Sequence, residues 1–485
     1  MLSEQLKTYL IEFLVGVEVD AQTVRAGCIT DRQLARANLI GYTRNPREMT
    51  RYKLVIYPSD FFDFGVYGTE QAQPILPLQD WRGIPLLFGE AREEWINEGK
   101  TLVVYADVLA STYYLTSRYE EMYRRGERDQ HGRFPGKSSL PYRAGFIHRP
   151  IVDEYGEVLR AILLEHDMLS SRGLSLCARP PFFSKINLTH DVDQPYLYRG
   201  VWSYLRAVLK DGRNPFTAFG LCFGHPKNDE FNTFSKFIAW NKQLIRRTPE
   251  GMTDMIFFLK TPADHKLDKP NYRLRRPYMR TLLAQMRRAG ARLGLHCSYA
   301  SGLMPQLIAE QRQYLQKQLG MTIHKSRHHF LALREPEDML LLYSAGIRHD
   351  YTMGYADVAG FRLGTCRPVK FINPNTRSLT ELVLHPLTMM DVTLSRQDYM
   401  GLSLQEAESY AEGLIRQVAH YNGELNLLWH NEQFSPTVHS WQTSLYRYLL
   451  GVIEDIEYED LQRRDPEAVE LAKHLSSCGG TEIHL

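Results

Sequence analysis

From about residue 185 the chain repeats one unit, an apolar run, a polar loop, and a segment in which apolar residues recur at intervals of three and four. Strands alternating with amphipathic helices bury themselves as a parallel sheet, because each crossover helix covers a sheet face. The spacing predicts strands at 185–190, 254–260, 291–296, 346–351, 381–385 and 425–430. It predicts helices at 277–289, 303–319, 336–345, 403–421 and 440–455. The expected architecture is α/β, either a parallel barrel or an open sheet.

A chain of 485 residues exceeds one ordinary core and implies two or three domains. The stretch Cys177-Ala178-Arg179-Pro180-Pro181-Phe182-Phe183 carries a Pro-Pro pair that breaks a helix and forces extended backbone, so a boundary is expected there. Residues 1–172 mix helical segments with short strands, such as Tyr52 to Tyr57 and Thr101 to Ala106, and read as a smaller α/β or α+β domain. Its patch Ser117-Arg118-Tyr119-Glu120-Glu121, followed by Arg128 to Phe134, reads as a solvated helix face and loop, or as a docking surface for the second domain or for glycan. Residues 461–485 read as a terminal tail.

Composition narrows the function. With 44% hydrophobic and 24% charged residues the chain is globular, and its net charge of +2 lacks the basic signature of a nucleic-acid binder, despite local clusters at Arg273 to Arg276 and at Arg287-Arg288. The six cysteines, Cys28, Cys177, Cys222, Cys297, Cys366 and Cys478, show no CxxC spacing and suit a reducing compartment. The run Tyr9 to Val17 is interrupted by Glu12 and lacks both a basic flank and a small-residue cleavage site, so it reads as an element of the first domain. No run approaches the roughly 18 apolar residues of a membrane span. A cytoplasmic protein is expected, of unspecified oligomeric state.

The strand ends carry the chemistry. Lys185-Ile186-Asn187-Leu188-Thr189-His190-Asp191-Val192-Asp193 ends in two carboxylates at i and i+2, which point the same way from an extended segment. Ala291 to His296 ends on a histidine, followed by Cys297-Ser298-Tyr299-Ala300-Ser301. Ser326-Arg327-His328-His329 follows a short strand around Ile323, and Glu424 to His430 ends on another histidine. Arg362 lies between Gly360 and Gly364. Taken singly, each is ordinary turn or core chemistry. Asp, Asp, His, His and Arg delivered by separate strand ends are the parts of a mononuclear metal hydrolase.

From Lys185 to Trp441 the order of these motifs resembles the NodB-like polysaccharide deacetylases, carbohydrate esterases that remove acetyl groups from glycans. The whole chain is also similar to a bacterial subfamily with an uncharacterised N-terminal domain. The resemblance implies a distorted (β/α) barrel of the polysaccharide deacetylase type over 184–460 and a divalent metal, with Zn²⁺ the expected ion. It implies Asp191 as general base, Asp193 and His296 as metal ligands, Arg327 as the arginine motif and His430 as general acid. The family's second histidine, four residues after the first, is replaced here by Ala300. His328 or His329 stands nearest in motif order, and His329 is favoured because it alternates with Arg327; His190 is a further candidate.

In the expected reaction Arg327 or Arg362 orients Asp191 by a charge-assisted hydrogen bond, and His430 protonates the leaving amine or alkoxide. A backbone N–H near Ser298 and Tyr299 supports the oxyanion. Tyr299, Tyr355 and Trp429 offer a wall for a sugar ring, although core packing is the commoner use of such a tryptophan. The same residues would serve a deformylase or another C–N hydrolase, and loss of the second histidine leaves room for a catalytically silent glycan-binding or assembly protein.

Overall fold

The computed structural model describes residues 2–15, 39–168, 181–435 and 441–464. Most of the expected boundary segment and of the tail, together with Cys28, Cys177 and Cys478, lies outside the described residues.

The first part holds a four-stranded sheet of β1 (Ile40–Tyr42), β2 (Leu54–Ile56), β5 (Gly89–Ile96) and β6 (Thr101–Ala106) in the order β1-β2-β6-β5. A small antiparallel pair, β3 (Gln79–Trp81) and β4 (Ile84–Leu86), stands beside it. The Tyr9 run is helical, Glu4–Val15, and packs with the helices Val108–Thr116 and Ile151–Glu165. Asp107 caps Val108–Thr116 by accepting from Ala110 N at 2.9 Å, so the strand-to-helix turn after β6 is held by its own side chain.

The second part is a nine-stranded sheet. Its strands are β7 (Phe183–Val192), β8 (Thr253–Lys260), β9 (Arg292–Cys297), β10 (Lys325–His328), β11 (His349–Met353), β12 (Val369–Asn373), β13 (Ser378–Pro386), β14 (Met389–Met390) and β15 (Gly423–Leu428). They run in the order β12-β13-β11-β10-β9-β8-β7-β15-β14, and only the β12–β13 pair is antiparallel. All six expected strands are present. The strand expected near Ile323 lies two residues later, at Lys325–His328, and β12 has no counterpart among the strands the spacing predicts.

The expected barrel is met by a sheet that curls without a closing ladder among the described residues. His385 Nδ1 on β13 lies 2.7 Å from Glu424 Oε1 on β15, and Asn426 Nδ2 donates to Pro386 O at 2.8 Å. With the backbone bond from Thr388 N to Asn426 O at 3.1 Å, these contacts bridge the two sides of the sheet. The curl gives β7 two environments. Ile186, Leu188, His190 and Val192 face the covering helices, while Asn187, Thr189 and Asp191 face the interior, where Asn187 meets Glu424 and Asn426. That polar row climbs the strand from the Glu424 network to the carboxylates at its tip.

The patch expected as a solvated face or a docking surface is a docking surface. Arg118, Glu120, Glu121 and Arg133 are all buried. Arg128 pairs with Glu335 at 3.0 Å, and Arg133 donates to Phe330 O at 2.8 Å. Asp153 accepts from Arg367 Nε at 2.6 Å and from Cys366 N at 2.8 Å. Buried carboxylates of the first part are therefore satisfied by the second, and their separation would leave charges unpaired.

Candidate metal centre and active site

Three imidazoles aim the same nitrogen at one carboxylate. Asp193 Oδ1 lies 3.1 Å from His296 Nε2 and 3.4 Å from His329 Nε2, while Asp193 Oδ2 lies 3.7 Å from His430 Nε2. Each ring is turned by a bond at its other nitrogen. His296 donates Nδ1–H to Arg327 O at 3.0 Å, His329 to Asp268 Oδ1 at 3.1 Å, and His430 to Asp391 Oδ1 at 2.9 Å. This fixes the tautomer that presents Nε2 to the centre, the arrangement that metal-binding histidines need from their surroundings.

Asp193, His296 and His329 offer ligand atoms that all lie within 4.8 Å of one another. Asp193 Oδ1 and His296 Nε2 are buried and make no hydrogen bond. Two buried polar atoms left so are costly unless an ion completes them, and one carboxylate with two imidazoles is a borderline donor set suited to Zn²⁺. The residues present fit a divalent metal.

Local backbone brings His329 in. It follows directly on β10, where Arg327 and His328 pair with His296 and Cys297 of β9. Phe330 and Leu331 then adopt φ of 61° and 53°, a left-handed turn costly for non-glycine residues. Just before this turn His329 lies beside His296, their ring centroids 5.2 Å apart. Position 300, where the expected second histidine is missing, instead donates its backbone N–H to Asp268 Oδ2 at 3.1 Å. Asp268 thus braces both the Tyr299-Ala300 backbone and His329.

Two pairs flank Asp193. On one side Arg327 Nη1 bonds Asp191 Oδ1 at 3.1 Å and Thr189 Oγ1 at 2.7 Å, with Nε on Tyr351 O at 3.0 Å, and its guanidinium lies 4.6 Å from the centre of the Phe258 ring. Asp191 Oδ2 remains 3.6 Å from His296 Nε2. On the other side Asp391 holds His430 through both Nδ1 and the backbone N–H, the latter at 2.6 Å.

Electrostatics separates the roles. Burial alone would depress His430; the Asp391 carboxylate, with Glu432 and Asp193 behind it, reverses this and holds the imidazolium well above the usual histidine range. Burial pushes the Glu432 carboxyl up to about 7, against the pull of His430 and with help from Asp193 and Asp391. Burial likewise opposes the charge on Asp193, yet His329 and His296 hold it well below the usual carboxylate range. Asp193 and His430, at 19% and 10% exposure, are more open than His296, His329, Asp191 and Asp391 and mark the mouth.

Other expected site residues are placed elsewhere. Arg362 is bound by both oxygens of Glu121, at 2.9 and 2.7 Å, and donates to Gly354 O, so it ties the two parts of the chain together while Arg327 serves Asp191. The amides of Ser298 and Tyr299 are taken by Gln311 Oε1 and Asp268 Oδ1, at 3.1 and 2.7 Å, and offer nothing to an oxyanion. The Tyr299 ring is buried, stacked on His265 with Phe330 against its edge. Trp429 is fully buried against Tyr446, and Tyr355 is buried under Arg362, so neither forms a wall at the mouth. His190 is a core histidine: Nδ1–H donates to Trp429 O and Nε2 accepts from Asn241, both at 2.8 Å, and burial lowers its pKa to about 3. His328, enclosed on the far side of β10 from Arg327, is lowered to about 3 by burial as well.

Three residues of the site are not among those the sequence pattern singles out. Asp391 follows the apolar Met389-Met390, one more strand end in a carboxylate, a signal that could have found it. Glu432 lies two residues beyond His430. Asp268 sits in a 3₁₀ turn, Lys266–Asp268, with no sequence signal.

A family of unknown function (DUF7033) matches residues 4–168. No curated protein matches the chain. Among solved structures, one from Mycobacterium smegmatis named as a polysaccharide deacetylase is similar with a TM-score of 0.34 and 13% identity, over 64% of this chain and 97% of that one. Another, from Pseudomonas aeruginosa PAO1 and named likewise, has a TM-score of 0.32 and 12% identity, over 59% of this chain and 93% of that one.

Proposed function

We propose that the chain is a metal-dependent hydrolase that removes an acetyl group from an N- or O-acetylated sugar of a glycan or glycan precursor. The observation that carries this reading is the convergence on Asp193, with His296 and His329 on one oxygen and the Asp191–Arg327 and His430–Asp391 pairs on either side. The motif order from Asp191 to His430 gives the reading its substrate class.

Asp193, His296 and His329 would hold the ion. A divalent cation such as Zn²⁺, when bound there, supplies Lewis acidity and lowers the pKa of a water toward about 7. Asp191, fixed by Arg327, takes the proton from the attacking water. The water oxygen joins the acetyl carbon, and the bond from that carbon to the sugar nitrogen or oxygen breaks. His430, kept as imidazolium by Asp391, gives its Nε2 proton to the departing amine or alkoxide. Base and acid are thereby set by different partners, an arginine for the carboxylate and a carboxylate for the imidazole.

The test is acetate release by zinc-replete protein from a panel of N- and O-acetylated sugars, with formylated analogues alongside. Acetate release that is lost in Asp191→Asn supports the reading. Formate release alone moves the activity to a deformylase, and release of neither acid contradicts it.

A further inference from the structure

Between β7 and β8 the chain inserts two helices, Val201–Leu209 and Pro215–Phe223, joined by a five-residue turn. They pack on each other through small residues, Ala207, Ala218 and Cys222 with Tyr198, in a cluster separate from the main core. Gly200 N donates to Cys222 O, and Arg199 Nη1 to Gly224 O at 2.9 Å, so the start of the first helix meets the end of the second in a hairpin. The faces turned away are apolar and exposed. Trp202, Leu205 and Leu209 recur at i, i+3 and i+7 on the first helix, as do Phe216, Phe219 and Phe223 on the second. Trp202, Leu209 and Phe216 are 84%, 80% and 89% exposed. A soluble surface rarely concentrates large apolar side chains in this way without something to cover them.

Charge names the cover. From Arg199 to Glu230 there are five basic residues, Arg199, Arg206, Lys210, Arg213 and Lys227, against three acids, Asp211, Asp229 and Glu230; Asp211 and Glu230 pair with Arg206 and Arg213 at 3.3 and 2.7 Å, and the basic side chains stay in excess. Protein–protein interface cores enrich aromatics but deplete lysine, whereas aromatic stripes rimmed by Lys and Arg are the pattern of helices lying in an anionic lipid interface. Each helix has nine residues, about 14 Å of rise against the roughly 30 Å of a bilayer core, too short to cross one. No described helix is long and apolar enough to cross one.

We propose that the hairpin 201–223 docks the protein on an anionic lipid surface. Its root belongs to the rim of the candidate site. Asp229 accepts from Leu197 N and Tyr198 N at 2.8 and 2.9 Å, and Asn431, next to His430, donates to Gln194 O and Phe231 O at 3.0 and 2.9 Å. Docking therefore sets the site beside the lipid headgroups. It stands on the hairpin alone and does not require the hydrolase reading.

The test is co-sedimentation of the full chain with phosphatidylcholine vesicles, with and without phosphatidylglycerol. Wild type is expected to sediment with the anionic vesicles. Trp202→Ser/Phe216→Ser/Phe219→Ser, which removes only exposed side chains, is expected to lose about tenfold or more in partitioning while keeping the wild-type melting curve. Arg206→Gln/Lys210→Gln is expected to lose about tenfold on anionic vesicles, as added salt does for wild type. Wild type left in the supernatant overturns the proposal, as does a serine variant that binds like wild type. A vesicle-independent dimer that the serine substitutions dissolve also overturns it and gives the face to a second copy.

Discussion

His329 donates Nδ1–H to Asp268 Oδ1 across 3.1 Å, and by that bond its Nε2 is turned toward Asp193. Position 300 carries no imidazole; His329, just beyond β10, brings one to Asp193, and its orientation depends on a carboxylate in a loop. Asp268→Asn, which keeps the shape but removes the charge, is expected to weaken zinc binding by about 10- to 100-fold in a chelator competition titration. His329→Ala is expected to weaken it further. Unchanged affinity in His329→Ala would remove that residue from the ligand set.

His430 owes its raised pKa to Asp391, with Glu432 and Asp193 contributing, against burial. In the proposed reaction a raised value keeps the acid-competent imidazolium present to higher pH, so the alkaline limb of kcat/KM reports its loss of a proton. Asp391→Asn removes the main raising charge and leaves the burial. The alkaline limb should then move to lower pH, read from a pH–rate profile.

Asp191 is held by Arg327 and stands outside the proposed ligand set of Asp193, His296 and His329. Asp191→Asn should retain bound metal while kcat falls about a hundredfold to ten-thousandfold, the ordinary worth of a general base. Metal content and turnover measured on the same preparation check this. Loss of both together would make Asp191 a ligand.

Arg362 binds Glu121 in a buried pair, with Arg118 on the same carboxylate. Arg362→Met is expected to cost on the order of 3 kcal/mol in urea unfolding, because Glu121 keeps only part of its compensation. Its metal affinity and pH profile should match wild type, which separates a joining role from a catalytic one.

The alternation of strands and helices makes the parallel sheet legible in the sequence, and the i, i+2 periodicity of an extended segment is enough to place Asp191 and Asp193 on one face. Local pattern says less about which polar residues meet across strands. His329 is reachable only through its alternation with Arg327, and the strand itself ends one residue earlier, at His328. Asp268 is invisible, since its partners lie 31 to 61 residues away and its own segment is an ordinary loop. Arg362 misleads for the converse reason: an arginine between glycines near strand ends resembles an active-site group, and only the docking of Glu121 shows where its charge is spent. The hairpin at 201–223 falls outside the expected helices, although Trp202, Leu205 and Leu209, and Phe216, Phe219 and Phe223, carry the same recurrence at three and four.

The most direct measurement is elemental analysis of purified protein after zinc loading and gel filtration, for wild type and for Asp193→Ala, His296→Ala and His329→Ala. A metal centre built on these three side chains predicts one equivalent of divalent metal in wild type, little in the first two variants and a reduced amount in the third. Wild type that retains no stoichiometric metal, or variants that retain as much as wild type, would contradict it.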